Sequence, residues 1–428
     1  MKISVWGDEL AAWVVAAQLS AFGNEVQLCA GEVWGRSEAD NCIYPSHKSI
    51  SAEPGLMALL EEGYSSGRLS AVGAEEALGA PVHWLAMAPD HADQALELVK
   101  RVAGAGARPC LVVNQSNFGI GASDRLQACL DQSGGQAVVC LPDTLQEGRA
   151  LAQFGEPDAL LVGCEDEGAR RWLMGLLRPF TGAVRQLQLM SRREAEFTKF
   201  AVTGMLALRL GYINELANLA DLLGVDIEVV RQGMATDERI GSHYLAPGCG
   251  FGGQHFTQYI EGLAELLSEK RRSSLLETVL AENLRQMELP FRKLWQHYDC
   301  ELKGKTVAVW GLAFKPGVAS IDNAPALRSV DALLAQGARV RLHDPEALPE
   351  VEKRYGSNES VSYCRDAYDA VESADALLLL TEWPEYWSPD FERLAQRMKA
   401  SVIVDGRNVY DPGLVREFGF TYYGIGRA

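Results

Sequence analysis

This sequence has no apolar run near the ~20 residues that a membrane-spanning helix needs, so no such helix is expected. It has no CxxC clip. Its nine cysteines are odd in number and scattered, which suits reduced, buried thiols better than a disulfide framework or a zinc site. His243, Cys249 and His255 are evenly spaced, yet that spacing matches no standard clip, and no metal is expected. The chain is also short of positive charge. Its 40 lysines and arginines against 57 acids leave a net charge of −17, which argues against nucleic acid or an anionic membrane as partner. A local basic pocket for a phosphate stays compatible with that total. No signal-peptide pattern precedes the strand-like run from Lys2 to Trp6, and a cytoplasmic location is the expectation.

What is present is the composition of a globular protein, 47% hydrophobic and 23% charged, in a chain whose 428 residues exceed one ordinary core. Strand-like runs at 2–6, 24–29, 82–87, 109–113, 137–141 and 159–162 alternate with amphipathic stretches such as 11–22, the pattern of a doubly wound α/β domain. A second series opens with the strand-like Thr306 to Trp310. The expected fold class is α/β: two Rossmann-like doubly wound domains, at 1–190 and 301–428, joined by a long central helix and a helical middle region at 191–300.

A parallel strand leading through a glycine-rich turn into a helix ordinarily binds a dinucleotide. Here the turn reads Gly7-Asp8-Glu9-Leu10-Ala11-Ala12, and Glu9 and Ala12 stand in place of the second and third glycines of GxGxxG. A side chain at the second place blocks a pyrophosphate, and Glu9 adds negative charge. One carboxylate ~4 Å from a phosphate charge costs about 4 kcal/mol at an effective dielectric of about 20. Ala30 replaces the acid expected after the second strand for the ribose hydroxyls, a loss of roughly 1–3 kcal/mol of charge-assisted hydrogen bonding. Both changes predict an NAD affinity weakened by several orders of magnitude. Trp6, Trp13 and Trp34, near this turn, read as core or rim residues; the alternative is that they fill a vacated adenosine cleft.

Farther on, Phe197, Ala201, Leu208, Tyr212, Leu216, Leu219 and Leu223 recur at spacings of three to seven, which predicts one face of a buried helix. Then Arg239 is followed by a glycine-dense loop, Gly248-Cys249-Gly250-Phe251-Gly252-Gly253, and by a long apolar helix opening at about His255. Glycines this dense let backbone amides approach a bound group, and a helix N-terminus behind them favours an anion.

This stretch resembles the active-site segment of the UDP-glucose/GDP-mannose dehydrogenase family, RIG..(F/Y)L..GPG(F/Y)GGSCFPKD. Arg239-Ile240-Gly241, Tyr244-Leu245 and Gly250-Phe251-Gly252-Gly253 match it, while His255 stands at the family's nucleophilic Cys and Tyr259 at its catalytic Asp. The resemblance continues along the chain. Glu53-Pro54-Gly55-Leu56 with Ser66-Gly67-Arg68-Leu69 is similar to EPGL…SGRL, for which a structural turn is the preferred reading. Asn114 to Gly121 aligns with KSTVPVGT, with Asn117 for the functional Thr, and Leu141 to Gly148 aligns with NPEFLREG, keeping Glu147 and shortening one Glu to Asp143. Lys199 matches the active-site lysine, whereas Thr203 replaces the Asn one turn later; Ile213-Asn214-Glu215 also matches and reads as helix packing. Gly311-Leu312-Ala313-Phe314-Lys315-Pro316 resembles GLAFKP, followed by an eroded Ala319-Ser320-Ile321-Asp322-Asn323-Ala324. Asp344-Pro345, Thr381-Glu382-Trp383, Asp405-Gly406-Arg407-Asn408 and the terminal Tyr422-Tyr423-Gly424-Ile425-Gly426-Arg427 are further matches.

The resemblance implies a nucleotide-sugar partner held by Leu145, Glu147, Lys199, Arg239, Tyr244, Gly250, Phe251, Gly252, Gly253, Lys315 and Arg407. Gly148 and the chain end resemble the UDP-glucose branch more than the GDP-mannose branch, so a UDP sugar is preferred. It also implies NAD at the turn beginning with Gly7, a homodimer through the central helix, and a place in polysaccharide biosynthesis.

Active family members oxidise a sugar alcohol to a carboxylate in two hydride transfers, with a thiolate capturing the aldehyde between them. An imidazole at His255 is a poorer covalent catalyst, because its adduct would be cationic. Losses fall on cofactor and chemistry, and retention falls on fold and anion binding. Three readings follow. The favoured one is a nucleotide-sugar-binding pseudoenzyme, regulatory or assembled with an active paralogue. The second is a repurposed enzyme using His255 or Cys249, with Lys199 and Glu147 as its other candidates. The third is a working NAD-dependent dehydrogenase with an atypical site. A local hydrogen-bonding role at the helix start is the plain reading of His255, its pKa lowered by the helix dipole.

Overall fold

The computed structural model describes residues 1–30, 53–105, 109–130, 135–272 and 274–427, in two compact units, Met1–Ala201 and Val202–Ala428.

The first unit is built on eight strands: β1 (Lys2–Trp6), β2 (Glu25–Cys29), β3 (Leu69–Ala71), β4 (Val82–Leu85), β5 (Cys110–Asn114), β6 (Gln136–Cys140), β7 (Ala159–Gly163) and β8 (Gln186–Met190). Their order in the sheet is β3-β2-β1-β4-β5-β6-β7-β8, and every pairing is parallel except β6 with β7, which meet antiparallel at Cys140 and Gly163. β4 and β5 are buried along their whole length, as strands of a parallel sheet covered on both faces must be. The helix Leu10–Ala21 is apolar all round because it packs on the sheet and against the helices Leu56–Ser65 and Ala150–Gly155 at once. The helix Ala92–Gly104 buries only Ala95, Leu98, Val99 and Val102, a three-and-four spacing that leaves its other side in water. β4 stops short of Met87, whose amide turns out of the ladder to donate to Ser116 Oγ at 2.8 Å.

The second unit carries six parallel strands: β9 (Thr306–Trp310), β10 (Arg339–His343), β11 (Val361–Tyr363), β12 (Ala376–Leu379), β13 (Val402–Asp405) and β14 (Thr421–Tyr423). The order β11-β10-β9-β12-β13-β14 is the doubly wound arrangement expected from the sequence. The helices Ile227–Ala235, Gln254–Arg271, Leu275–Met287 and Leu289–His297 precede it. No helix among the described residues is long and apolar enough to cross a membrane.

The long helix runs from Arg192 to Leu223, but the face it buries is not the expected one. Phe197, Tyr212, Leu219 and Leu223 are 53%, 54%, 49% and 65% exposed. The residues buried are Ala195, Glu196, Thr203, Gly204, Ala207, Ile213, Asn214, Ala217 and Ala220. Close packing explains the reversal. A Cβ on Gly204 would lie 3.1 Å from Leu263, one on Gly211 3.2 Å from Val279, and Gly426 sits directly on Ala217. Small residues give this helix its close neighbours, and the large apolar ones point outward.

Candidate functional site

At the end of β1 the chain turns at Gly7, whose φ is +132° and whose amide donates to Cys29 O at 3.0 Å. A Cβ there would fall 1.9 Å from Ala86 O, so the close approach of the β4 end requires glycine whether or not a nucleotide binds. Glu9 follows in extended conformation at the helix N-cap, its carbonyl accepting from the Ala12 amide at 2.9 Å. Ala12 is wholly buried in the core. That corrects one expectation: the third place of the fingerprint serves helix–strand packing and accepts alanine, so Ala12 is no loss. Ala30 is half-buried against the same apolar cluster. The backbone of the turn is that of a dinucleotide site, but Glu9 sets a carboxylate at the positive end of the helix, and Ala30 offers nothing to a ribose. Glu9 and Ala30 are thus the two positions of this turn that depart from the pattern expected of an NAD site. Trp6 and Trp13 are core residues, donating to His83 Nδ1 at 3.2 Å and Asp8 O at 3.1 Å; Trp34 lies outside the described residues.

The loop from Leu141 to Gly148 is clasped from below. Glu53, only 3% exposed, accepts from the amides of Gly148 at 2.6 Å and Leu151 at 3.1 Å, which gives the Glu53-Pro54-Gly55-Leu56 segment its structural role. Asp143 accepts from the Leu145 amide at 3.0 Å, and Leu145 packs partly buried against the core. Lys199 is half-buried; burial pushes its ammonium pKa down, and the Asp143 carboxylate opposes that. Asp143, whose charge acts on Lys199, lies on the loop that also carries Leu145 and half-buried Glu147.

In the second unit, the glycine-dense loop is held by its own protein. The Gly248 amide donates to Asn214 Oδ1 at 2.9 Å, and Gln286 Nε2 donates to Gly248 O at 2.7 Å. The Cys249 amide donates to Gly406 O at 2.8 Å, and the Gly253 amide to Asp322 O at 2.8 Å. Asn283 holds Phe251 through both its amide and its carbonyl. The glycines are needed because protein presses on them: a Cβ on Gly250 would lie 2.8 Å from Asn283, on Gly252 2.2 Å from Asn323 O, and on Gly253 2.9 Å from the Phe314 ring. The reading of this loop as an amide cradle is therefore corrected to two positions. Among the described residues, only the amides of Gly250 and Gly252 in the run 248–253, both in buried residues, have no hydrogen-bond acceptor.

Around that loop stand the other candidates. Phe314 covers Gly253, and the Lys315 ammonium lies 5.5 Å from the centre of the Phe314 ring. Arg407 donates through Nη1 to Gly250 O at 3.2 Å and through Nε to Leu380 O at 2.8 Å, with Glu382 3.2 Å away. Burial works to lower the Arg407 pKa, and nearby Cys249, Glu382 and Asp405 outweigh it, so the group stays charged. Cys249 is fully buried in the second core with its Sγ toward Leu380 O at 3.7 Å, and burial pushes its thiol up. As a candidate nucleophile it is corrected: its side chain meets core, not a ligand. His255 is exposed on the first turn of its helix and stacks at 28° on Tyr259, ring centres 6.3 Å apart. Arg239 is exposed and folded back onto Asp237 at 2.6 Å, while half-exposed Tyr244 holds a left-handed φ of +56°. Arg209, unremarked in the sequence, fastens this segment by donating to the carbonyls of Ile240 and His243. Among the described residues no cluster of His, Cys, Asp and Glu could hold a metal.

The chain is similar along its whole length to the UDP-glucose 6-dehydrogenase of Pseudomonas aeruginosa, 36% identical, covering 100% of this chain and 98% of that protein. It belongs to the UDP-glucose/GDP-mannose dehydrogenase family. Residues 193–285 match the family's central domain, and residues 308–412 its UDP binding domain. The UDP-glucose 6-dehydrogenase of Rhizobium meliloti is 31% identical, with full coverage of both chains. Among solved structures, a UDP-glucose dehydrogenase from the archaeon Pyrobaculum islandicum aligns with a TM-score of 0.85 at 28% identity, covering 100% of this chain and 98% of that one. The family's two-Rossmann α/β fold is thus the fold of this chain, as the sequence motifs implied. The loop from Gly248 to Gly253 falls within the central domain, and Phe314, Lys315 and Arg407 fall within the UDP binding domain.

Proposed function

We propose that this chain is a nucleotide-sugar-binding member of the family that has lost NAD-dependent oxidation, and that it takes a UDP sugar in preference to a GDP sugar. One observation carries the reading. The loop where the family binds and oxidises its sugar keeps two amides with no acceptor among the described residues, at Gly250 and Gly252, together with Phe314, Lys315 and Arg407 around it, but carries His255 in place of a thiol on the first turn of the helix Gln254–Arg271. Binding needs donors and charge, which are present; acyl capture needs a thiolate that can attack and then leave. Glu9 in the first turn supports the same conclusion for the cofactor. The chain is then a cytoplasmic regulatory or assembly partner, a homodimer through its central helix, or a companion to an active paralogue in polysaccharide biosynthesis.

A second reading is favoured by the full-length likeness to proteins named UDP-glucose 6-dehydrogenase: an NAD-dependent enzyme with an atypical site. Calorimetric titration with NAD, UDP-glucose and UDP-glucuronate separates the two. Binding of a UDP sugar without NAD upholds the proposal. Tight NAD binding, followed by NADH formation with UDP-glucose, replaces it with the enzyme. Binding of neither leaves the fold alone in common with the family.

A further inference from the structure

The two sheets share the turn at the end of their first strands, although the first turn enters the helix Leu10–Ala21 directly and the second enters a loop that reaches the helix Pro325–Ala335. β1 ends Trp6-Gly7 and β9 ends Trp310-Gly311; Gly7 donates to Cys29 O at 3.0 Å, and Gly311 to His343 O at 2.9 Å. Each glycine is pressed by the strand on its other side, so that a Cβ would fall 1.9 Å from Ala86 O in one unit and 2.5 Å from Thr381 N in the other. The residue after the second strand is Ala30 in the first unit. In the second unit it is Asp344.

Asp344 is 1% exposed and accepts five N–H groups. Its Oδ2 takes the amides of Leu312 at 2.6 Å and Ala313 at 2.9 Å, and the Trp383 indole at 3.0 Å. Its Oδ1 takes the amides of Glu346 at 2.9 Å and Ala347 at 2.7 Å. Among the described residues no lysine or arginine pairs with it. Leu312 and Ala313 are the first amides beyond the glycine, on a loop with no helix behind it before Pro325, so the N–H groups gathered here come from the loop, from the turn after the second strand and from the Trp383 indole.

We infer that the first turn of the second sheet is an anion cradle which the chain closes with its own carboxylate, Asp344, so that no dinucleotide or free oxyanion enters there. The closed cradle has a second effect. Leu312 and Ala313 lead directly into Phe314, which covers Gly253, and Lys315. Asp344 is therefore a positioning residue for the side of the glycine loop that faces the second sheet. N–H groups without a basic partner suit a small oxyanion, and a charged acceptor among them forms stronger hydrogen bonds than a neutral one. A water in its place would lack the charge.

Removing the carboxylate should leave a cradle that a small anion can refill. Asp344→Ala is compared with the natural chain by thermal melting in sodium formate and in sodium chloride at equal ionic strength. The expected result is a large fall in melting temperature in chloride, at least half of it regained in formate, with the natural chain indifferent to the exchange. Equal melting of the variant in both salts overturns the inference. UDP-glucuronate affinity of the variant should recover in parallel. That arm rests on the nucleotide-sugar reading above; if the natural chain binds no UDP sugar, that reading fails, and the melting comparison still decides this one. Should Asp344→Ala not fold, Asp344→Asn fills the same space without charge. Its Leu312 and Ala313 amides should then exchange hydrogen faster than in the natural chain, and unchanged exchange overturns the inference as well.

Discussion

Asn283 holds Phe251 by both ends of the peptide: its Oδ1 accepts from the Phe251 amide and its Nδ2 donates to the Phe251 carbonyl, each at 2.9 Å. A side-chain amide here does what a neighbouring strand does for a β-residue. It fixes one peptide in the middle of a glycine run that would otherwise be the loosest backbone in the unit. Asn283→Ala removes both bonds and leaves a buried N–H and C=O unsatisfied, which should cost about 2–4 kcal/mol. Urea unfolding measures that loss. Calorimetry should show weaker UDP-glucuronate binding, because the Gly250 and Gly252 amides lose their fixed direction. A variant as stable as the natural chain would show that the loop is held elsewhere.

On the proposed reading Glu9 is the obstacle to a dinucleotide, and it stands where glycine is well tolerated, at a helix N-cap. Glu9→Gly removes a carboxylate whose repulsion from a phosphate is about 4 kcal/mol, so NAD affinity should rise by roughly a hundred- to a thousandfold. Calorimetric titration with NAD reads the change directly. An affinity that does not move assigns the obstacle to other residues of the turn.

His83 is buried beside Trp6, and burial pushes its pKa from 6.5 down to about 4. The folded chain keeps this imidazole neutral while the unfolded chain protonates it near its ordinary value. Between those two pKa values the unfolded state binds more protons, so stability rises with pH across the window and is lost as pH falls from about 6.5 toward about 4. The loss should approach about 3 kcal/mol at the acid end. Urea unfolding at a series of pH values, compared with His83→Gln, should show a flatter acid limb in the variant.

Cys249 is sealed in the core with a raised thiol pKa, whereas Cys300 is exposed. An aromatic disulfide reagent should label Cys300 rapidly and leave Cys249 unmodified in the folded chain, with or without UDP-glucuronate. Rapid, nucleotide-dependent labelling of Cys249 would restore the repurposed-nucleophile reading.

Much of this fold was written in the sequence. Alternating apolar strands and amphipathic helices announced the first doubly wound sheet, the strand-like run at 306–310 and the motif resemblance after it announced the second, and the Gly7 turn marked where the first begins. The antiparallel meeting of β6 and β7 was not legible, because a single bridge at Cys140 and Gly163 leaves no periodic trace. The faces of the central helix were misassigned for a physical reason. Apolar residues surround the helix, and spacing cannot distinguish a close contact made by Gly204 and Gly211 from a broad one made by Phe197 and Leu219. The glycine loop was legible as a special place but not as to cause, since a sequence shows a missing Cβ and not the Asn323 carbonyl that excludes it. Asn214, Asn283 and Gln286, which hold that loop, carried only a faint signal: amide side chains on helices otherwise patterned for burial.

The outward face of the central helix has a thermodynamic consequence. Met205, Tyr212, Leu222 and Leu223 are 58%, 54%, 84% and 65% exposed, on a helix whose small residues already serve its own chain. If a second copy covers that face, as proposed, folding and association share one equilibrium, and the law of mass action ties the stability of each chain to the number of its fellows. Dilution then acts on this protein as a mild denaturant: its melting temperature should climb with concentration, at a rate set by the apolar area the helix withholds from its own core.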